Sequence, residues 1–98
     1  MAKFAELDLD RFNVWASSRP ATVRALIARL PPDRLYLMKS TRQRVTVFSY
    51  GEDGTVAVEV REKGNIQRVE HQVFGVRPHD LEECELPGGA ATVTYLKR

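Results

Sequence analysis

Apolar residues recur with two different periods along this chain, and the change comes near residue 34. Val23, Leu26, Ile27 and Leu30 fall at i, i+3, i+4 and i+7, the spacing that lines one face of an α-helix. Pro20 suits a first helical turn and Ser17 and Ser18 can cap it, whereas Pro31 and Pro32 lack the backbone N–H that a continuing helix needs. The pattern therefore predicts an amphipathic helix over residues 20–30. Ahead of it, Leu7 and Leu9 alternate with Asp8 and Asp10 as a strand would, while Asp10 followed by Phe12, Val14 and Trp15 fits a capped helix. We read residues 9–16 as a short helix.

From residue 34 the period falls to 2. Leu35-Tyr36-Leu37-Met38 and Arg44-Val45-Thr46-Val47-Phe48-Ser49-Tyr50 read as strands, the second rich in β-branched and aromatic side chains. Val45 and Val47 alternate against Phe48 and Tyr50, so apolar groups sit on both faces of that strand and both faces are expected to be covered. Gly51-Glu52-Asp53-Gly54 turns the chain into Thr55–Arg61, whose Val56, Val58 and Val60 point one way and whose Glu59 and Arg61 point the other. After a second turn at Glu62–Asn65, a long strand runs from Ile66 to Val76, with Val69, His71 and Val73 sharing a face and Gly75 marking a bulge. Arg77–Glu83 has the proline and acids of a single helical turn, and Pro87-Gly88-Gly89 leads into a last strand at 91–96. The predicted class is α+β: two N-terminal helices packed on a strongly curved antiparallel sheet, or a small barrel, of about five strands.

Composition bounds this picture. Ninety-eight residues, 43% apolar and 29% charged, suit a single domain, with residues 1–32 as its helical segment and 33–98 as its β meander or barrel. No apolar run approaches the ~20 residues of a membrane span. Acids interrupt the start of the chain, so we expect a cytoplasmic protein without membrane partners. One cysteine, Cys84, allows no intrachain disulfide, and folding must rest on apolar packing. Charge is unevenly distributed: residues 1–50 carry nine basic and four acidic side chains, residues 51–98 six and nine. Eleven of the fifteen cations are arginines, whose planar donor forks suit phosphates, carboxylates and aromatic faces.

The basic strand start Gln43-Arg44-Val45-Thr46-Val47, the Gly-Glu-Asp-Gly-Thr-Val hairpin at residues 51–56 and the later Val76-Arg77-Pro78-His79-Asp80-Leu81-Glu82 together resemble the Src-homology-three-like small barrels, including the KOW type. The resemblance spans about residues 41–96. It implies that Pro78–Glu82 forms the one-turn helix preceding a final strand, and that the chain is a binding module more than an enzyme.

Candidate chemistry is sparse. His79, Asp80, Glu82, Glu83 and Cys84 crowd one segment, but His71 is distant and no second cluster completes a four-ligand metal shell. Glu83 and Glu85 surround Cys84 with negative charge, which raises a thiol pKa and blunts it as a nucleophile. The glycines lie at turns or a bulge and open no helix after a strand, so no phosphate loop is present. We therefore assign no catalytic, cofactor or metal residue.

Arg19, Arg24, Arg29, Arg34 and Lys39 recur every fifth residue, but five residues turn a helix by about 140°, so they form no single ridge. An anion or nucleic-acid groove would instead be assembled from Arg34, Lys39, Arg42 and Arg44. Phe4, Phe12 and Trp15 are the aromatic groups available to cover the core or to anchor an interface. Two functions follow. The first is a non-catalytic binding or protein-interaction module, whose open strand edges and apolar N-terminal segment favour a protein partner or a symmetric homodimer. The alternative is a nucleic-acid-associated protein using the arginine-rich first half.

Overall fold

The change of period near residue 34 is the boundary between helices and sheet in the computed structural model, which describes residues 9–84. Helix α1 spans Leu9–Ser17 and helix α2 spans Ala21–Arg29. Strands β1 (Tyr36–Met38), β2 (Gln43–Tyr50), β3 (Val56–Glu62) and β4 (Asn65–Val76) follow, then a 3₁₀ turn at Pro78–Asp80 and strand β5 (Leu81–Glu83). The sheet is antiparallel, ordered β4-β3-β2-β1-β5, and curled but not closed into a barrel. No helix among the described residues is long and apolar enough to cross a membrane.

Helix α2 lays Val23, Leu26 and Leu30 onto the valine face of the sheet, where Val45, Val47, Val56, Val58 and Val60 are buried. Phe12 and Ile27 pack against the rim of this core. Each fully buried valine or leucine contributes on the order of 1.5–3 kcal/mol. The end of α2 is received by two tyrosines of the sheet: Tyr50 donates its hydroxyl to the Leu30 carbonyl and Tyr36 donates to the Pro31 carbonyl. The prolines stop the helix, and the phenols satisfy carbonyl groups left open there. Ser17 and Ser18 do not cap α2, as their position before Pro20 suggested. They donate back to the carbonyls of Val14 and Trp15 and so finish α1 instead.

Bulges decide which residues share a face. A register shift between Val47 and Ser49 puts Tyr50 in the core with Val45 and Val47, so Phe48 no longer shares a face with Tyr50 as strict alternation required. In β4, Gly75 at φ 71° occupies the bulge that the glycine predicted. A further shift pairs His71 with Val60 but Val69 with Arg61, which separates Val69 from the His71 and Val73 face expected for it.

The segment after Pro78 departs from the sequence reading. Only Pro78–Asp80 is helical; Leu81, Glu82 and Glu83 extend and pair with Met38, Leu37 and Tyr36. Burial of Leu81 against the core outweighs the helix-start character of the acids. The strand expected at 91–96 lies outside the described residues, so the fifth strand seen here is Leu81–Glu83.

Candidate anion-binding site

The valine face is only one of two buried surfaces. On the opposite face, Leu35, Thr46, Ala57, Glu59 and Arg61 are also buried, but the apolar group that β2 places there, Phe48, is exposed, so the expected apolar cover on both faces of that strand is not found. Arg61, 5% exposed, is held there by a polar network. Its Nε and Nη2 donate to Thr46 Oγ1 at 3.0 and 2.8 Å, and Nη2 lies 3.3 Å from Glu59 Oε1. A charge can be buried at this depth because it is paired and hydrogen-bonded.

The Val45↔Val60 pair brings Arg44 beside Arg61 on this face, and Leu37 pairs with Arg44 on its other side. Arg42 enters from the β1–β2 turn. Its backbone N–H donates to the Met38 carbonyl at 2.7 Å and its φ is 63°, a left-handed conformation that costs a side-chain-bearing residue strain. Asp80 fastens this turn from the far end of the chain, accepting from Ser40 N at 3.0 Å and Ser40 Oγ at 2.6 Å, while its carbonyl accepts from Lys39 N. With Lys63 from the β3–β4 turn, Arg42, Arg44 and Arg61 line a cleft of ≈ 440 Å³ in which Glu70 is the one acid among the described residues. Among the described residues, Arg42, Arg44 and Lys63 have no ion-pair partner.

Like charges on neighbouring strands repel, so gathering them costs stability unless a bound anion offsets it. Guanidinium groups offer paired donors to phosphate or carboxylate oxygens, and these charge-assisted bonds are about twice as strong as neutral ones. Among the described residues the cleft is lined by Leu37, Gln43 and charged side chains.

The structure brings together half of the basic set assembled from sequence. Arg42 and Arg44 line the cleft, whereas Arg34 pairs with Asp33 and Glu83, and Lys39 sits exposed on the turn. Arg61 and Lys63 were missed: one alternates against core valines and the other belongs to a turn, and neither pattern marks a site. Phe12 packs on the core with its ring 6.2 Å from Tyr50, Trp15 is 40% exposed, and Phe4 lies outside the described residues. Arg19 covers one face of Trp15 at 5.1 Å.

His71 and His79, despite their separation in sequence, both line a second cleft, together with Asp80. No group of three or more histidine, cysteine, aspartate or glutamate side chains that could hold a metal ion occurs among the described residues. Burial pushes the Cys84 thiol up from its ordinary value; a hydrogen bond and the charge of Arg44 oppose the shift, while Glu83 and Glu82 add to it. That environment favours the neutral thiol over the thiolate.

One sequence signal for this face was present but unreadable alone. Phe48 and Phe74 form an edge-to-face pair, centroids 5.8 Å apart, at the end of the same face away from the cleft. No family model, no curated protein and no solved structure matches the chain.

Proposed function

We propose that this chain is a non-catalytic binding module and that its recognition site is the cleft formed by Arg42, Arg44, Arg61 and Lys63. The observation that carries this reading is the convergence on one cleft of Arg42, Arg44 and Lys63, from two turns and a strand and without ion-pair partners among the described residues, beside Arg61, whose charge Glu59 already meets. Arg42 strengthens it, because strain at a turn position is retained where the side chain has a task. The curled, tightly turned sheet supports a binding module as well, the role that resemblance to Src-homology-three-like barrels implies. The ligand group is a phosphate or a carboxylate. Calorimetric titration with inorganic tripolyphosphate at low salt tests the site: saturable binding is expected, weakened about tenfold or more in Arg42→Gln/Arg44→Gln, since two charge-assisted bonds are lost. Equal affinity in the double variant would overturn the assignment.

A second reading rests on helix α1. Val14 is 74% exposed and Trp15 40%, and together with Asp10 and Arg11 they border a shallow surface depression. Large apolar groups left in water favour a protein partner, the simplest being a second copy of this chain. Light scattering across a tenfold dilution, with Trp15→Ala as the perturbation, decides it; a monomeric mass at every concentration removes the homodimer.

A further inference from the structure

The cationic cleft and the phenylalanine pair stand at the two ends of one face of the sheet, with Thr46, Ala57 and Glu59 buried between them, and they are complementary to different parts of a single polymer. Cross-strand pairing places Arg44, Thr46 and the bulged Phe48 along β2, beside Arg61, Glu59 and Ala57 along β3. Phe74 stands opposite Ala57 in the Gly75 bulge of β4. Ala57 carries only a methyl group, which lets the two rings meet over it. Phe74 is 68% exposed and Phe48 38%, so one aromatic surface is open to solvent beside the polar side chains of Ser49 and Gln72, both exposed.

We infer that this face binds a single strand of nucleic acid, with backbone phosphates in the Arg42–Arg44–Lys63 cleft and an unstacked base on Phe74. The inference rests on the anion-binding reading of the cleft and names its ligand. Three physical arguments select this class. Cations track a phosphate backbone, and each neutralised phosphate releases condensed counterions. Bases stack on aromatic rings with little regard for sequence, and only a strand whose bases are free can use such a ring, because a duplex keeps its bases stacked on each other. Ser49 and Gln72 supply donors and acceptors for base edges beside the rings. The geometry also demands an oligomer: Arg44 and Phe48 are four residues apart on β2, or about 13 Å, farther than one nucleotide reaches between its own phosphate and base. A protein segment of acidic residues alone would satisfy the cleft but leave the phenylalanine pair without a role.

Fluorescence anisotropy with a labelled oligothymidylate of about a dozen nucleotides, within the usual site size for such surfaces, tests the inference on the full chain. Tripolyphosphate, thymidine monophosphate, the corresponding duplex and an oligoglutamate peptide serve as competitors. The expected result is tight single-strand binding that falls steeply with salt, weaker competition by the duplex, and about a tenfold loss in Phe74→Ala that Phe74→Trp restores. Tripolyphosphate binding should be the same in all three proteins, because Phe74 does not line the cleft. If Phe74→Ala binds the oligonucleotide like the wild type, or the duplex competes as well as the single strand, the inference is overturned while the cleft stands. Competition by oligoglutamate equal to that of the oligonucleotide overturns it in favour of an acidic protein segment. Absence of both tripolyphosphate and oligonucleotide binding removes the cleft reading and the inference together.

Discussion

Replacing Tyr36 by phenylalanine isolates one hydroxyl at the junction of α2 and the sheet, and two independent magnitudes follow from its surroundings. The ring is 2% exposed and remains in place in Tyr36→Phe, so apolar packing is nearly conserved. What is lost is the hydrogen bond of 2.9 Å to the Pro31 carbonyl. A hydrogen bond of this kind contributes about 0.5–1.5 kcal/mol net, and an orphaned buried acceptor raises the loss toward 3. Pro31 is half-buried, and water can reach its carbonyl, so the expected loss at pH 7 is about 1 kcal/mol, or roughly 4–8 °C for a domain of this size.

The second magnitude is in the pH dependence. Burial first, then the charge of Glu83, pushes the Tyr36 phenol well above its usual range. In the unfolded chain it titrates near pH 10, so above that pH the unfolded state loses its proton while the folded state keeps it. Stability must then fall as pH rises, by up to about 1.4 kcal/mol per unit. The variant lacks this loss, so its deficit of about 1 kcal/mol at neutral pH should close near pH 11. Urea denaturation from pH 7 to 11, both proteins carrying Cys84→Ser to remove the raised thiol, reads the difference directly. A deficit independent of pH would refute the buried-phenol argument, and no deficit at pH 7 would refute the carbonyl bond.

Leu26→Ala empties part of the α2–sheet core and should cost about 2–5 kcal/mol, measured as a lower urea midpoint. Arg61→Ala leaves Glu59 buried without its cation and should cost about 3–5 kcal/mol, measured by thermal denaturation. Gly75→Ala meets no atom within 4 Å, so its cost is conformational alone, about 1–2 kcal/mol from the positive φ; a neutral substitution would mean that the bulge relaxes.

Most of the secondary structure was legible in the order of residues, because a helix and a half-buried strand each repeat with a period that local side chains reveal. The 3.6-residue spacing of Val23, Leu26, Ile27 and Leu30, the paired prolines after it and the alternating valines of β3 specify α2, its end and a central strand without reference to anything distant. The α+β class follows from these signals alone. Segments of three residues carry no period, which is why Leu81–Glu83 looked like the end of a helical turn until pairing with β1 made it a strand.

The candidate site belongs to the other category. Arg42, Arg44, Arg61 and Lys63 come from positions up to 21 residues apart, and only the antiparallel pairing of β2 with β3 makes them neighbours. The bulge at Phe48, unlike the one that Gly75 marked, is likewise decided between strands, since an extra residue on one strand is defined by what its partner lacks. A one-residue slip reverses every side chain beyond it. The sequence by itself therefore determined which segments are helix and strand and which face of each is apolar. Tertiary pairing alone decided which cations share a cleft, which aromatic rings remain in water, and that both lie on the same face of the sheet.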